Sequence, residues 1–523
     1  STASMELSFP HEIYEQIFKN FNKRGDIFSS LLVNRKWCRL AVPLLWRSPF
    51  SKEFHYAANT HKIIRTYLSC LDEEARKLLS EDGIDMSNSP SGTLFDYVEF
   101  LQQLDISELK RNINKCHTNF KRIHDDAITY KLQLMYTELC KLFMKKCKSI
   151  YALYEVYDDQ GWFVDPIPIR SFSIPLPSLP GADRCLKYLK RFDSAENSKN
   201  GIVYRELSQM CNEIVALSVK IGSYNEGITL PELVASQKHL KSFHLSSFNS
   251  SNICVWFNDD CFGPTFRSLA SQKNTLTEVL ISGITFRDID LSCLDTLGEC
   301  KELRSFGLLR CEALSERHLE VLSNSFQNLE SFTFIAGQEI IPARGITGFL
   351  KTANANMKKI SFDVVVPGAI KVITDHCENV ESLSVCTRQP EEIFMIFQNC
   401  RHLKLLLYDL EIGFISDELL TKLSEYVPKS LKTLSFYVNL VYPWTFSSES
   451  LKIFLDGCKK SAQLEFFSLE SANSPYFWYE EEEGMDRIAE EHFRVLQESG
   501  IKNYKLSGYN IDLGSQNMHF CLL

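Results

Sequence analysis

The chain has 523 residues, of which 44 % are apolar and 24 % are charged, a balance typical of a folded protein rather than a disordered one. This length exceeds one compact core, so we expect several domains or an array of repeats. A net charge of −9 excludes the broadly basic surface that binds nucleic acid or anionic membranes non-specifically.

The sequence has no run of apolar residues long enough to span a membrane, so we expect no membrane-spanning helix. It has no recognisable secretory signal at its start, so we do not expect secretion. The 17 cysteines are an odd number, form no Cys-x-x-Cys pair and do not cluster with histidines at zinc-ligand spacing. This usage predicts reduced thiols in the cytoplasm, the nucleus or both. It also predicts no metal site, and we expect no cofactor.

The first segment, residues 5–50, predicts three short helices. Pro10 suits the first position of a helix, Asn34 is placed to cap the third helix, and Pro43 is expected to end it. Three short helices cannot bury among themselves all the large apolar side chains that this segment carries. Part of its surface therefore needs a partner, unless it is an ordinary helical subdomain that packs on the rest of the chain.

The segment contains three stretches in order, Phe9-Pro10-x-Glu12-Ile13, Asp26-Ile27 and Val33-Asn34-Arg35-x-Trp37. This pattern resembles an F-box, with Phe9 where the family usually has leucine, and its ending is similar to that of the large fungal F-box families. The resemblance implies binding to the Skp-type adaptor of a cullin–RING ubiquitin ligase. The family's contact positions fall on Pro10, Ile13, Ile17, Phe18, Leu31, Val33 and Trp37.

Residues 51–145 predict a mainly helical linker that fixes the first segment against the next domain. Five prolines then predict an extended surface loop at 165–182.

A repeated template, apolar-x-x-apolar-x-apolar, organises the rest of the chain, residues 146–523. Clean copies are separated by 23 to 37 residues and start at Ile214, Leu240, Leu276, Leu303, Leu329, Met357, Val380, Leu403, Leu431, Leu464 and Ile501. Weaker copies start at Ile150 and Leu186. The template predicts a short strand with one buried face, and the residues between copies predict a helix that returns the chain.

Cysteines recur three residues before a start, at Cys147, Cys211, Cys300, Cys377 and Cys400. The pattern resembles the cysteine-containing leucine-rich repeat, which implies an α/β solenoid, a horseshoe with an inner parallel sheet and outer helices. The expected architecture is therefore a three-helix F-box, a helical linker and this solenoid. A large α/β domain is the alternative, but it would have longer buried strands and no fixed cysteine position.

The second and fourth residues after each start are predicted to lie on the inner face of the sheet. Eleven of these 22 positions in the clean copies are serine or threonine. The large apolar exceptions are Leu280, Leu405, Leu407 and Phe466. Exposed apolar groups among small polar ones predict a substrate-binding surface, unless loops or the chain's own tail cover them.

The acidic run at 476–483 is either a recognition loop for a basic partner or a solvated loop. No nucleotide-binding, catalytic or metal motif is present, so we predict no catalytic residues. These patterns together predict a non-catalytic substrate-recognition subunit of an SCF-type ubiquitin ligase that binds an unknown target protein. A leucine-rich-repeat scaffold without a ligase role and an F-box–adaptor complex without one remain alternatives.

Overall fold

The structure is a computed structural model that describes residues 13, 16–18, 21, 24–51, 61–118, 126–155, 174–194, 200–247, 262–323, 326, 328–337, 340–412, 415–438, 444–471 and 490–506. Pro10, the start of the predicted proline-rich loop and the acidic run 476–483 lie outside the described residues. The chain divides into two compact units, residues 1–276 and 277–523.

The first unit begins with the predicted helical segment, in which helices Arg24–Ser30 and Arg35–Trp46 follow helical residues 16–18. Asn34 caps the longer helix as predicted, because its side-chain oxygen accepts the Trp37 N–H at 2.9 Å. The prediction that Pro43 ends this helix is wrong. The helix continues to Trp46, and burial of apolar neighbours in the same turns offsets the hydrogen bond that proline cannot donate.

An aromatic cluster packs the end of this helix against the segment predicted as a linker. The ring of Tyr67 lies 5.3 Å from Trp46, 5.9 Å from Phe50 and 4.9 Å from Phe143, measured between ring centroids. All three contacts are within the range in which aromatic pairs stabilise a core. The other helices of the unit are His61–Leu68, Glu73–Glu81, Ile106–Thr118, Asp126–Lys146, Ala182–Cys185, Asn200–Met210, Tyr224–Ser236 and Gly263–Ser268.

Five strands of the first unit pair in parallel and in chain order. They are β1 (Gln103–Asp105), β2 (Ala152–Tyr154), β3 (Arg191–Asp193), β4 (Ala216–Ile221) and β5 (Ser242–Ser247). Strand β1 was not predicted, although Leu101, Leu104 and Ile106 fit the template; it starts two residues after Leu101 and lies within the segment predicted as a helical linker. The weak copy at Leu186 is wrong by three residues, because β3 starts two residues after Leu189.

The second unit contains a longer series of parallel strands, again paired in chain order. They are β6 (Glu278–Ser282), β7 (Ser305–Cys311), β8 (Ser331–Ala336), β9 (Lys359–Val365), β10 (Ser382–Thr387), β11 (Leu405–Leu410), β13 (Thr433–Val438), β15 (Phe466–Ser471) and β16 (Asn503–Leu506). A separate pair is formed by β12 (Ile415–Ser416) and β14 (Trp444–Thr445). Across both units, every clean copy of the template is followed by a strand that begins two residues after its start.

Helices alternate with these strands, as the repeat predicts. They are Leu291–Gly298, Glu316–Ser323, Ala343–Ala353, Ala369–His376, Glu392–Asn399, Asp417–Leu423, Ser448–Ser461 and Glu490–Glu498. The three apolar positions of the template supply the core between the layers. In the copy that starts at Leu303, for example, Leu303 and Phe306 are 1 % exposed and Leu308 is fully buried. The predicted α/β solenoid architecture is confirmed.

One hydrogen-bond pattern joins successive copies of the repeat. The carbonyl oxygen of the residue after a template start accepts two N–H groups of the next copy; Glu330, for example, accepts from Lys358 at 2.8 Å and Lys359 at 2.9 Å. In the first unit, Arg47 occupies the same position, since its carbonyl oxygen accepts the N–H groups of Gln102 and Gln103, both at 2.9 Å. The end of the helical segment therefore continues the pattern of the sheet.

Candidate functional site

The residues predicted to contact an adaptor occupy different environments in the helical segment. Phe18 is buried, and its ring centroid lies 5.4 Å from those of Phe21 and Trp37. Partly buried side chains surround this small core, among them Ile27, Leu31 and Trp37. Ile17 is also partly buried. The assignment of Phe18, Leu31 and Trp37 to an adaptor contact stays a prediction.

Four large apolar side chains of the same segment remain exposed to solvent. Ile13 is 40 % exposed, Phe28 60 %, Val33 57 % and Leu32 82 %. We call these four residues the exposed apolar group. Ile13 and Val33 were predicted as contacts, whereas Phe28 and Leu32 were missed. Their four-residue spacing, on a segment whose Ile27 and Leu31 face the small core, was the signal that could have identified them.

The second candidate surface is the open sheet face of the second unit, formed by the second and fourth residues after each template start. Along the strands, these positions are partly exposed and the positions between them are buried, as in the alternation of Ser331, Phe332 and Thr333. The predicted face is thus confirmed for most of its serines and threonines. Ser468 is an exception, because it is fully buried and its hydroxyl donates to that of Ser435 at 2.6 Å.

The predicted apolar anchors on this face are all partly exposed, and three of them lie on two strands that are separated by a single strand. Leu405 and Leu407 lie two residues apart on β11, so their side chains share a face. Leu405 pairs with Thr433 on β13, which pairs in turn with Phe466 on β15. The sheet therefore places the two leucines and Phe466 in one region, with the fourth anchor several strands away on β6.

Leu280, the anchor on β6, borders a depression of about 290 Å³. Gly307 on the next strand makes this depression possible, because a Cβ at that position would lie 2.3 Å from the Leu280 Cδ1 atom. Serine, threonine and charged side chains form much of the remaining lining. The region offers one apolar contact surrounded by hydrogen-bonding groups.

Carboxylates gather where the strands of the second unit end. Arg388 donates to both carboxylate oxygens of Glu411, at 2.8 and 3.2 Å, and its hydrogen bond lowers the pKa of Glu411. Lys505 donates to Glu470 at 2.7 Å. Asp409 differs: burial, together with the charges of Glu411 and Asp363, raises its pKa to about 6.

The opposite edge of the second unit carries a series of ion pairs between successive repeats. The pairs are Arg304–Glu330, Lys358–Glu330, Lys404–Glu381 and Lys432–Glu465, with N···O distances of 2.7 to 2.9 Å. Lys358 and Arg304 hold the pKa of Glu330 below its ordinary value through these hydrogen bonds. Surface pairs contribute little stability, so their effect on the stacking of the repeats is small.

The recurring cysteines are packing residues in the described part of the chain. Cys147, Cys211, Cys300, Cys377 and Cys400 are all buried. Burial raises the pKa of Cys211, Cys377 and Cys400 to about 12, so these thiols stay protonated and are poor nucleophiles or metal ligands. No group of three or more potential metal ligands occurs among the described residues. Within the same residues, no helix has the length and apolar composition to cross a membrane.

The alternation of parallel strands and helices in each unit defines the class of protein, an α/β solenoid of the leucine-rich-repeat type. No protein-family profile matches the chain, and no curated protein matches it. Among solved structures, the Rad7–Elc1 complex of yeast is 17 % identical, with a TM-score of 0.37 and coverage of 54 % of this chain and 76 % of that chain.

Two bacterial structures show a similar degree of likeness. A leucine-rich-repeat-containing protein from Legionella pneumophila is 12 % identical, with a TM-score of 0.32 and coverage of 48 % of this chain and 84 % of that chain. A leucine-rich-repeat protein from Leptospira interrogans is 10 % identical, with a TM-score of 0.31 and coverage of 78 % of this chain and 100 % of that chain. With identities and TM-scores this low, the fold assignment depends on the strands and helices of the chain itself.

Proposed function

We propose that this chain is the substrate-recognition subunit of an SCF-type ubiquitin ligase. The helical segment, with its F-box-like pattern, would hold a Skp-type adaptor and through it a cullin–RING ligase. The open sheet face would hold a target protein. In this role the chain catalyses no reaction itself. It brings the target protein close to the ligase, and holding two reactants together greatly increases the rate of their reaction. The proposed location is cytoplasmic, nuclear or both.

The observation that carries this proposal is the exposed apolar group in a segment too short to need it for its own core. Phe28 and Leu32 are 60 % and 82 % exposed, although Phe18 and Trp37 already pack a small core beside them. Large apolar side chains exposed together on so short a segment favour a protein interface. The resemblance of the surrounding sequence to an F-box supports the Skp-type adaptor as the partner.

The proposal is tested by co-expression of the full chain with a Skp-type adaptor and a cullin. We expect co-purification of all three, together with a target whose ubiquitination depends on this chain. Adaptor binding without cullin would favour an F-box–adaptor complex outside a ligase. Absence of adaptor binding would refute the proposal and favour a leucine-rich-repeat scaffold that binds proteins by its sheet alone.

A double variant tests the second surface separately. Leu405→Asp with Leu407→Asp introduces two charges on the open face. Both positions are partly exposed, so the charged side chains can reach water and the core is not disrupted. We expect target capture to be lost and adaptor binding to be unchanged. Normal capture by the double variant would remove these leucines from the docking surface.

A further inference from the structure

Asp409 continues the line of partly exposed side chains that Leu405 and Leu407 begin on β11. The three residues alternate with buried Leu406, Tyr408 and Leu410, so they share the open face and run from the first residue of β11 toward its carboxyl end. A segment lying on the two leucines would therefore reach the Asp409 carboxylate within one or two residues.

The carboxylates near Asp409 already have partners, whereas one of its own oxygens has none. Glu411 is held by Arg388, Glu470 by Lys505, and an Asp363 oxygen accepts the Ala336 N–H at 2.8 Å. The Asp409 side chain as a whole is partly exposed on the open face, where an incoming side chain can reach it. Its Oδ1 atom is enclosed, and no hydrogen-bond donor of the described residues reaches that atom, so no neighbour neutralises this carboxylate. A buried acceptor without a donor destabilises the folded chain. A carboxylate that lies near other carboxylates and has no cation beside it destabilises the chain further.

The groups that face Asp409 explain why a cation is the missing partner. Cys386 on β10 and Tyr437 on β13 are its register neighbours, Glu470 lies one strand further, and Asp363 and Glu411 add their charges. None of these side chains carries a positive charge. Tyr437 is 39 % exposed, so its ring is available beside the carboxylate to contact a cation.

We infer that Asp409 accepts a lysine or arginine side chain of the protein segment that docks on Leu405 and Leu407. This inference rests on the proposed function, because it takes the open face as the docking surface. It defines the chemistry of the partner as an apolar side chain followed closely by a basic one. The raised pKa of Asp409 agrees with a carboxylate that awaits a cation.

The experiment is affinity selection from a library of short random peptides by the purified full chain. We expect enrichment of sequences in which lysine or arginine lies within two or three residues of leucine, isoleucine or phenylalanine. Asp409→Asn should abolish the basic preference and keep the apolar one, whereas the uncharged double variant Leu405→Asn with Leu407→Asn should abolish the apolar preference and keep the basic one. Asp456→Asn, on the exposed side of helix Ser448–Ser461, is the control and should change neither.

The pH dependence of one selected peptide gives a second measurement. A carboxyl with a pKa of about 6 is only about one-tenth ionised at pH 5, so affinity should rise about tenfold from pH 5 to about pH 7.5. The rise should vanish in Asp409→Asn and for the same peptide with acetylated lysine. Selection without a basic preference, an unchanged preference in Asp409→Asn, or no enrichment at all would overturn the inference. None of these results affects the adaptor measurement, which tests the proposed function independently.

Discussion

Leu32 provides a quantitative test of the adaptor surface, because it is the most exposed member of the exposed apolar group. Leu32→Ala removes three carbon atoms, each worth about 0.8 kcal/mol when buried, from a residue that is 82 % exposed in the free chain. If the adaptor covers this side chain, the variant loses about 2 kcal/mol of binding free energy. That loss corresponds to a dissociation constant about 30-fold weaker. Stability should change by less than about 0.5 kcal/mol, since the residue adds little to the folded core.

The assay is calorimetric or optical titration of a purified Skp-type adaptor into the full chain, with thermal unfolding as a check on folding. Leu94→Ala is a matched control, because Leu94 is 86 % exposed and lies outside the helical segment. We expect the control to bind like the wild type. A change of less than threefold for Leu32→Ala, or an equal loss for both variants, would refute the reasoning.

Three further predictions concern stability, each measured by chemical denaturation. Cys400→Ser should destabilise the protein by about 1–3 kcal/mol, and more than Cys400→Ala, because a hydroxyl in this fully buried position needs a hydrogen-bond partner; equal effects would contradict a packing role. Gly457→Ala should destabilise by about 1–3 kcal/mol, since its Cβ would lie 2.5 Å from the Ser424 carbonyl oxygen, whereas Gly348→Ala meets nothing within 4 Å and should stabilise by about 0.5–1 kcal/mol; the same sign for both would be inconsistent with this contact. The raised pKa of Asp409 means that the folded chain binds a proton more tightly than the unfolded chain, so this residue's favourable contribution is present below about pH 4 and is lost as the pH rises through about 6. Asp409→Asn should therefore gain about 1 kcal/mol relative to the wild type at pH 7.5, after allowance for solvent screening, and a variant that is less stable there would contradict the sign.

The repeat could be predicted closely from the sequence because its signal is local and recurs. A strand that buries one face needs apolar residues at fixed positions, and each copy confirms the spacing of the others. The strand at Leu303 is typical, since Leu303, Phe306 and Leu308 are all apolar and all buried. The phase of the face follows from the same alternation, so the partly exposed positions of Leu405 and Leu407 were predictable too.

The misplaced copy near Leu186 shows where the template fails. Its true start is Leu189, whose third template position is Ser194 rather than an apolar residue. Ser194 is nevertheless buried, because its hydroxyl lies 2.8 Å from the Tyr204 hydroxyl and accepts the Lys220 N–H at 3.2 Å. A buried polar residue is tolerated when such partners exist, but those partners come from elsewhere in the chain and leave no local pattern. Asp409 escaped prediction for a related reason, since its environment depends on charges from neighbouring strands.

The junction between the helical segment and the sheet determines how firmly the helical segment is oriented within the first unit. Arg47 takes the place of a repeat residue, because its carbonyl oxygen accepts the N–H groups of Gln102 and Gln103 at the start of β1, and the ring of Trp46 beside it contacts Tyr67 at 5.3 Å. The backbone bonds hold the end of the last helix of the segment against the start of the sheet, and the aromatic contact holds it against helix His61–Leu68. A loose tether would leave the Arg47 carbonyl in water and the Trp46 ring exposed. Within the first unit, the adaptor-binding segment proposed here is therefore fixed to the sheet rather than tethered to it, so its orientation is set by the same hydrogen-bond pattern that stacks the repeats.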